Sequence, residues 1–290
     1  LDAVKELIPV QHQSSVLSQV KKYCNEIEDI CNGIFLLGEC SARSKDKLVS
    51  YGELLSSRII CAAMVQQGMD AAWKDSRELI CTNSQFGNAA VNFYVTNSRV
   101  TAYVQEHPAA VTILPGFIAS DEHQVTTTLG RGGSDYTAAI LGAAVDAVAV
   151  EIWTDVSGMM TADPRWVPNA RFIPRISYQE AMELSHFGAK VIYPPTIQPV
   201  MSRNIPVWIR NTFEADHPGT LIQNKEQQDK SNGSEEIITG ISSISSLALL
   251  SLEGSGMVGI PGFSSRLFAA LAQAQVNVIL ITQGSSEHSI

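Results

Sequence analysis

The run Thr126-Thr127-Thr128-Leu129-Gly130-Arg131-Gly132-Gly133-Ser134-Asp135 constrains this chain more than any other. It predicts a strand, a glycine turn and a helix start. Two consecutive glycines clear side chains from the turn, and Ser134 and Asp135 stand where an N-cap and a first-turn acid belong. Beyond them Ile140, Leu141, Ala144, Val145 and Val148 recur at helical spacing. Such a turn aims backbone N–H groups and the positive end of a helix dipole at an anion. Arg131 adds a planar fork suited to a carboxylate or phosphate. A site for charged small molecules is expected here, which favours an enzyme over a structural module.

The rest of the chain fits that expectation. Its 290 residues suit one large domain and a smaller partner. A net charge of −9 and the lack of a basic run argue against a nucleic-acid surface. No apolar run approaches a membrane span, and no leader pattern opens the chain, so a cytoplasmic protein is expected. The five cysteines, Cys24, Cys31, Cys40, Cys61 and Cys81, form no C-x-x-C pair and read as reduced thiols, mostly packing residues. The six histidines are scattered without metal-ligand spacing, and no protein metal site is expected.

Residues 1–66 read as helical: Val20, Cys24, Ile27 and Cys31 share one spacing, and Glu53 to Met64 is a second periodic run. From about Ala71 short apolar strands alternate with helices. Val111 to Leu114, Val148 to Trp153 and Val207 to Ile209 are strands; Ser134 to Asp146 and Tyr178 to Ser185 are helices, the latter opened by a Ser177–Glu180 capping box. The alternation predicts a mainly parallel sheet covered on both faces. Residues 224–236 are polar and read as a linker. They divide a catalytic domain, 1–223, from a βαβ piece, 237–290. In that piece strands Leu247 to Leu252 and Val276 to Thr282 flank a glycine loop and a helix with Phe263, Leu267, Phe268 and Leu271 on one face.

Six motifs line up in one order: Tyr51-Gly52-Glu53-Leu54-Leu55-Ser56, Leu114-Pro115-Gly116-Phe117, Gly130 to Asp135, Trp153-Thr154-Asp155-Val156-Ser157-Gly158, Thr161-Ala162-Asp163-Pro164-Arg165 and Phe187-Gly188-Ala189-Lys190-Val191. Together they resemble aspartokinases of the amino acid kinase family, above all the kinase half of bifunctional aspartokinase–homoserine dehydrogenases. The close at Ile281 to Ile290 is similar to their first regulatory ACT unit. The resemblance implies a three-layer α/β/α amino acid kinase fold followed by a partial ACT unit, and transfer of the γ-phosphoryl of ATP to the β-carboxylate of L-aspartate. That acceptor is already ionised at neutral pH, so positioning and charge neutralisation matter more than a strong base.

By the same resemblance Arg131 holds the substrate α-carboxylate, and Glu53 and Asp135 face its ammonium. Ser134 and Phe117 shape the pocket, with Asp135 and Lys190 as the catalytic pair. Thr154, Asp155, Met160 and Arg165 frame ATP, and Lys190 meets its phosphates. Mg²⁺ is expected to bridge those phosphates, held by ATP and water. Gln283, beyond the loop beginning Gly254-Ser255-Gly256, is the expected contact for an amino acid effector, threonine first and lysine as the alternative. A homo-oligomer is expected. Placement alone leaves blander roles open: a solvated helix acid for Glu53, a surface lysine for Lys190, a simple turn for Asp163-Pro164-Arg165. The family's opening Lys-Phe-Gly-Gly-Thr-Ser loop has no counterpart in these 290 residues, nor is there a G-x-G-x-x-G fingerprint of a dehydrogenase. An incomplete kinase region, inactive by itself, is therefore expected. The alternatives are an amino-acid-sensing fragment without catalysis, and a glutamate or uridylate kinase.

Overall fold

A computed structural model describes residues 1–188, 191–224, 238–254 and 262–282. It falls into two compact units, Leu1–Ser243 and Ile244–Ile290. The first opens with helices α1 (Asp2–Leu7), α2 (Gln13–Leu37) and α3 (Ala42–Gln66). The packed stripe of α2 is not the one expected. Val20 and Tyr23 are buried, with Ile27 and Ile30 packed beside them, whereas Cys24 and Cys31 face solvent. Cys40 is exposed as well, so three of the five free thiols are not packing residues.

Strand β1 (Ala71–Trp73) pairs parallel with β3 (Val111–Ile113), and β2 (Cys81–Thr82) pairs parallel with β4 (Ile118–Asp121), which turns back antiparallel onto β5 (Thr126–Thr128). Helix α4 (Phe93–Glu106) precedes β3, and α5 (Gly133–Ala144) follows β5. A third sheet, ordered β6-β8-β9-β7, contains β6 (Val150–Thr154), β7 (Arg175–Ser177), β8 (Val207–Asn211) and β9 (Thr220–Gln223). Helices α6 (Tyr178–His186) and α7 (Pro194–Met201) connect it. Its β6–β8 and β7–β9 pairs are parallel and β8–β9 antiparallel. The ladders are thus mainly parallel, as expected, but divided into separate sheets. β3 is only half-buried throughout.

Coverage on both faces holds only in part. Along β6, Val150 and Ile152 point into a core with Ile176, Ile197, Ile209 and Ile222. Glu151 and Trp153 point out, beside Trp208 and Arg210 of β8, and Trp153 stays 47% exposed. The capping box of α6 is present: Ser177 accepts from the Glu180 N–H, and Glu180 accepts from the Ser177 N–H. Tyr178, the next residue, is fully buried and donates to the Ile205 carbonyl at 2.6 Å, and burial pushes its pKa up to about 12. Tyr178→Phe leaves that carbonyl unpaired. A loss of about 1–3 kcal/mol in urea denaturation is expected, and an unchanged midpoint would show the bond to be dispensable.

Helix α3 amends the membrane expectation. Its 25 residues reach a mean hydropathy of 1.4 over an 18-residue window, long and apolar enough to cross a membrane by composition alone. Yet the helix buries Asp46, Ser50 and Ser57 together with Tyr51 and Leu54, and the polar groups make hydrogen bonds there. That pattern suits a helix packed on a protein core.

In the second unit the expected helix is present as α8 (Phe263–Gln273), with Phe263, Leu267, Phe268 and Leu271 half-buried on one face. The two expected strands beside it are not formed: 247–252 and 276–282 run without ladder pairing. Leu249 is 96% and Leu280 75% exposed. Among the described residues of this unit, one helix and two short segments offer too little apolar surface to hold a sheet by themselves.

Candidate active site

The three threonines of β5 anchor the glycine turn, each through its hydroxyl. Thr126 accepts from Arg77 Nη1 at 3.2 Å, Thr127 shares a 2.7 Å bond with Thr82, and Thr128 donates to Asp46 at 3.0 Å. Asp46 also accepts from the backbone N–H groups of Thr128 and Gly87, both at 2.9 Å. The chain then enters α5 through Gly132, which adopts φ +67° and is the N-cap. A Cβ there would meet Tyr193 Cβ at 2.5 Å, so both space and conformation demand glycine. Ser134 is therefore not the cap; it stands inside the helix, exposed, while Asp135 is the first-turn acid as expected.

The segment 114–117 lies directly against this turn. A Cβ on Gly116 would sit 3.0 Å from both Ser134 Cα and Cβ. Phe117 donates its N–H to Thr137 Oγ1 at 3.0 Å, Thr137 donates to the Gly133 carbonyl at 2.8 Å, and the Phe117 carbonyl accepts from Leu129 at 2.9 Å. These bonds hold Phe117 at φ +68°, a region costly for a bulky side chain and one that concentrates at functional sites. Phe117 and Ile118 pack with Tyr51 and Leu54, the neighbours of Glu53 on α3. The structure thus brings together Phe117, Arg131, Ser134 and Asp135, with Glu53 joined to them through its helix.

The charges are unspent. Among the described residues neither the Glu53 nor the Asp135 carboxylate has a hydrogen-bond or ion-pair partner, and burial raises the pKa of both. Arg131 is exposed and also lacks a described partner. Two desolvated acids and an exposed guanidinium on the elements that meet at this turn complement a zwitterion. The sign of the linkage follows. A carboxylate whose folded pKa is raised contributes stability below its unfolded pKa and loses it as pH rises through the folded value. Asp135→Asn is therefore expected to raise the melting temperature at pH 7 and to change it little at pH 3. Melts at the two pH values check this, and a lower Tm at pH 7 would show an unseen native partner.

The second group lies at the carboxyl ends of β6 and β8, where ligands of open parallel sheets bind. Thr154 ends β6 and bonds to the exposed Asp155 at 3.2 Å, and its carbonyl accepts from Thr212. Ser157 links Asn211 (2.8 Å) to Glu214 (2.7 Å), and Thr220 accepts from the Met159 N–H at 2.8 Å. Half-buried Met160 bridges to Phe172. Arg165 is turned away from a ligand-ready pose: its guanidinium and N–H all engage Asp163, at 2.6–3.1 Å, in an exposed turn. That is the plain-turn alternative at Asp163-Pro164-Arg165.

Lys190 and Gln283 lie outside the described residues. The chain three residues after Lys190 is placed: Tyr193, given no role by the sequence, rests on Gly132. Asp46 and Thr137 were missed. Asp46 carried a signal, since it stands seven residues, two helical turns, before Glu53 on the same helix.

The amino acid kinase family model matches residues 9–211, and an ACT domain model matches residues 250–290. The chain belongs to the amino acid kinase family. Over its whole length it is 38% identical to bifunctional aspartokinase/homoserine dehydrogenase 2, chloroplastic, of Zea mays, of which it covers 32%. It is 35% identical over its whole length to lysine-sensitive aspartokinase 3 of Escherichia coli strain K12, of which it covers 64%. The solved structure of E. coli aspartokinase III in complex with aspartate and ADP superposes with a TM-score of 0.79 at 32% identity, over 96% of this chain and 60% of that one. The chain therefore spans about a third of the bifunctional relatives it matches.

Proposed function

We propose that this chain is the aspartate- and ATP-binding region of an aspartokinase, which phosphorylates the β-carboxylate of L-aspartate at the head of an amino acid biosynthetic route. The unpartnered Arg131, Glu53 and Asp135 around the Phe117 and Gly132 turn carry this reading, because they match the α-carboxylate and the α-ammonium, the two charges an amino acid substrate presents at its backbone. Arg131 takes the α-carboxylate, Glu53 and Asp135 the ammonium, and Ser134 and Phe117 close the pocket. The E. coli structure, by its name, holds aspartate and ADP.

The nucleotide fits the ends of β6 and β8, where Thr154 and Asp155 offer polar groups and Met160 a half-buried apolar surface. Arg165 joins that site only by releasing Asp163. Lys190 is assigned to the phosphates, with Asp135 as its catalytic partner. ATP with Mg²⁺ supplies the phosphoryl group and neutralises its charge; exposed Asp155 suits contact through water rather than a protein cage. The residues of this chain hold aspartate in line and keep its ammonium away from the incoming phosphoryl.

The ACT match favours feedback control, with Gln283 reading threonine, as in the bifunctional resemblance. The name of the E. coli relative, lysine-sensitive, keeps lysine as the alternative. Exposed Leu249 and Leu280 favour a homo-oligomer that covers them. Five unpaired cysteines accord with a reducing compartment; we infer the cytoplasm, although the maize relative is named chloroplastic.

Trapping acyl phosphate with hydroxylamine tests the proposal. These 290 residues, expressed alone, are expected to give no product, because they include no glycine-rich phosphate loop beside a lysine. Losing one such electrostatic contact costs about 10²–10³ in turnover. Joined to a Lys-Phe-Gly-Gly-Thr-Ser strand, the chain is expected to form aspartate-dependent hydroxamate. Product from the 290 residues alone would overturn the account of the phosphate site, and none from the joined protein would overturn the activity.

A further inference from the structure

A hollow of about 350 Å³ between α2, α3 and β1 lies away from the glycine turn and is not used by the mechanism above. Val16, Val20, Leu55 and Ala62 form its apolar walls, and Trp73 and Arg58 form one side. The Arg58 guanidinium lies 3.4 Å over the Trp73 ring. Its Nε donates to the Tyr23 hydroxyl at 3.2 Å, and the Trp73 indole N–H is fixed in turn on Ser57 at 2.9 Å. The head group is therefore held at its face and at one edge. Its two terminal nitrogens have no described partner.

A guanidinium stacked this way presents its remaining N–H groups in the ring plane, in the fork that a carboxylate matches. Polar Ser15, Gln19 and Tyr23 stand on the same lining, and among the described residues no aspartate or glutamate does. That absence bears on the ligand. An amino acid would bring an ammonium with no acid to meet it, whereas a carboxylate with an apolar body leaves nothing unpaired. The volume falls at the small end of ordinary ligand pockets, which leaves room for a molecule of about six to ten heavy atoms with water beside it.

We propose that the α2–α3 hollow binds a small organic monocarboxylate with an apolar body and no cationic group, its carboxylate paired with Arg58 and its body among Val16, Val20, Leu55 and Ala62. Helix α3 carries both Arg58 and Glu53, so the occupied hollow adjoins the helix that frames the substrate site. The binding itself does not depend on the kinase activity.

Titration of the 290-residue chain with 4-methylpentanoate, followed by calorimetry and tryptophan fluorescence, tests this. Saturable binding with a Kd in about the millimolar range or tighter is expected, with 4-methylpentanamide and leucine each at least about tenfold weaker. Arg58→Gln is expected to abolish the preference for acid over amide, and Arg58→Lys to restore part of it. Val16→Trp fills the hollow without touching Arg58 and is expected to block binding too. Circular dichroism confirms that each variant is folded; should Arg58→Gln not fold, Val16→Trp and the amide carry the test. Equal binding of acid and amide, binding that survives both substitutions, leucine binding as tightly as the acid, or no saturation by about 20 mM would each overturn the proposal.

Discussion

Arg131→Ala is expected to raise the KM for aspartate by about 30-fold or more, in an enzyme completed with the phosphate loop, while the KM for ATP changes little. The asymmetry follows from position. Arg131 stands in the turn with Phe117, Ser134 and Asp135, whereas Thr154 ends a strand of a different sheet and Asp155 and Met160 follow it in the loop beyond. Losing a charged bidentate pair that is desolvated on binding costs about 2–5 kcal/mol, and each 1.4 kcal/mol is about tenfold. Arg131→Lys keeps the charge but loses the planar fork, and an intermediate KM is expected. Steady-state kinetics with each substrate varied in turn decide the matter. Equal effects on both KM values, or none on aspartate, would remove Arg131 from the substrate site.

The glycine turn was legible in the sequence because its requirements are local. Paired glycines, a following helical period and a first-turn acid need no distant partner to be recognised. The capping box at Ser177 and Glu180 was legible for the same reason. The N-cap was misplaced because serine is the commoner cap, whereas here the close approach of Tyr193, sixty-one residues away, leaves room only for glycine at position 132. Periodicity placed α2 but chose the wrong stripe: Cys24 and Cys31 sit one residue from Tyr23 and Ile30, and a cysteine is apolar enough to mimic a core position. The strands beside α8 were overread. Leu247 to Leu252 is apolar enough for a strand, but a strand needs a neighbour, and pattern alone does not supply one.

Contacts far apart in sequence were the least visible. Nothing in the residues around Phe117 announces that Thr137 receives its N–H, or that α3 reaches the end of β5. The raised pKa values of Glu53 and Asp135 likewise come from burial, which residue type and spacing do not disclose.

Asp46→Ala is expected to be the most damaging single change in the first unit. The side chain is 2% exposed and accepts three hydrogen bonds, from the Gly87 N–H, the Thr128 N–H and the Thr128 hydroxyl. Alanine strands the two Thr128 donors in the interior, while the Gly87 N–H, at an exposed position, turns to water. Each buried donor left unpaired costs about 1–3 kcal/mol, so the two at Thr128 together remove a large share of the roughly 5–15 kcal/mol that holds a domain folded. Urea denaturation is expected to show that loss. Function suffers with stability, because the carbonyl of Gly87 and the side chain of Asn88 face Gly130, and Thr128 is two residues before it. Releasing both anchors lets the turn that carries Arg131 drift, and a misplacement of about 1 Å costs on the order of 10²-fold in rate. Asp46→Asn keeps one acceptor oxygen and its size, so it is expected to recover part of the stability and more of the aspartate affinity than alanine does. An alanine variant that melts like the parent, or an asparagine variant no better than alanine, would show that the carboxylate is not what fixes α3 to the turn.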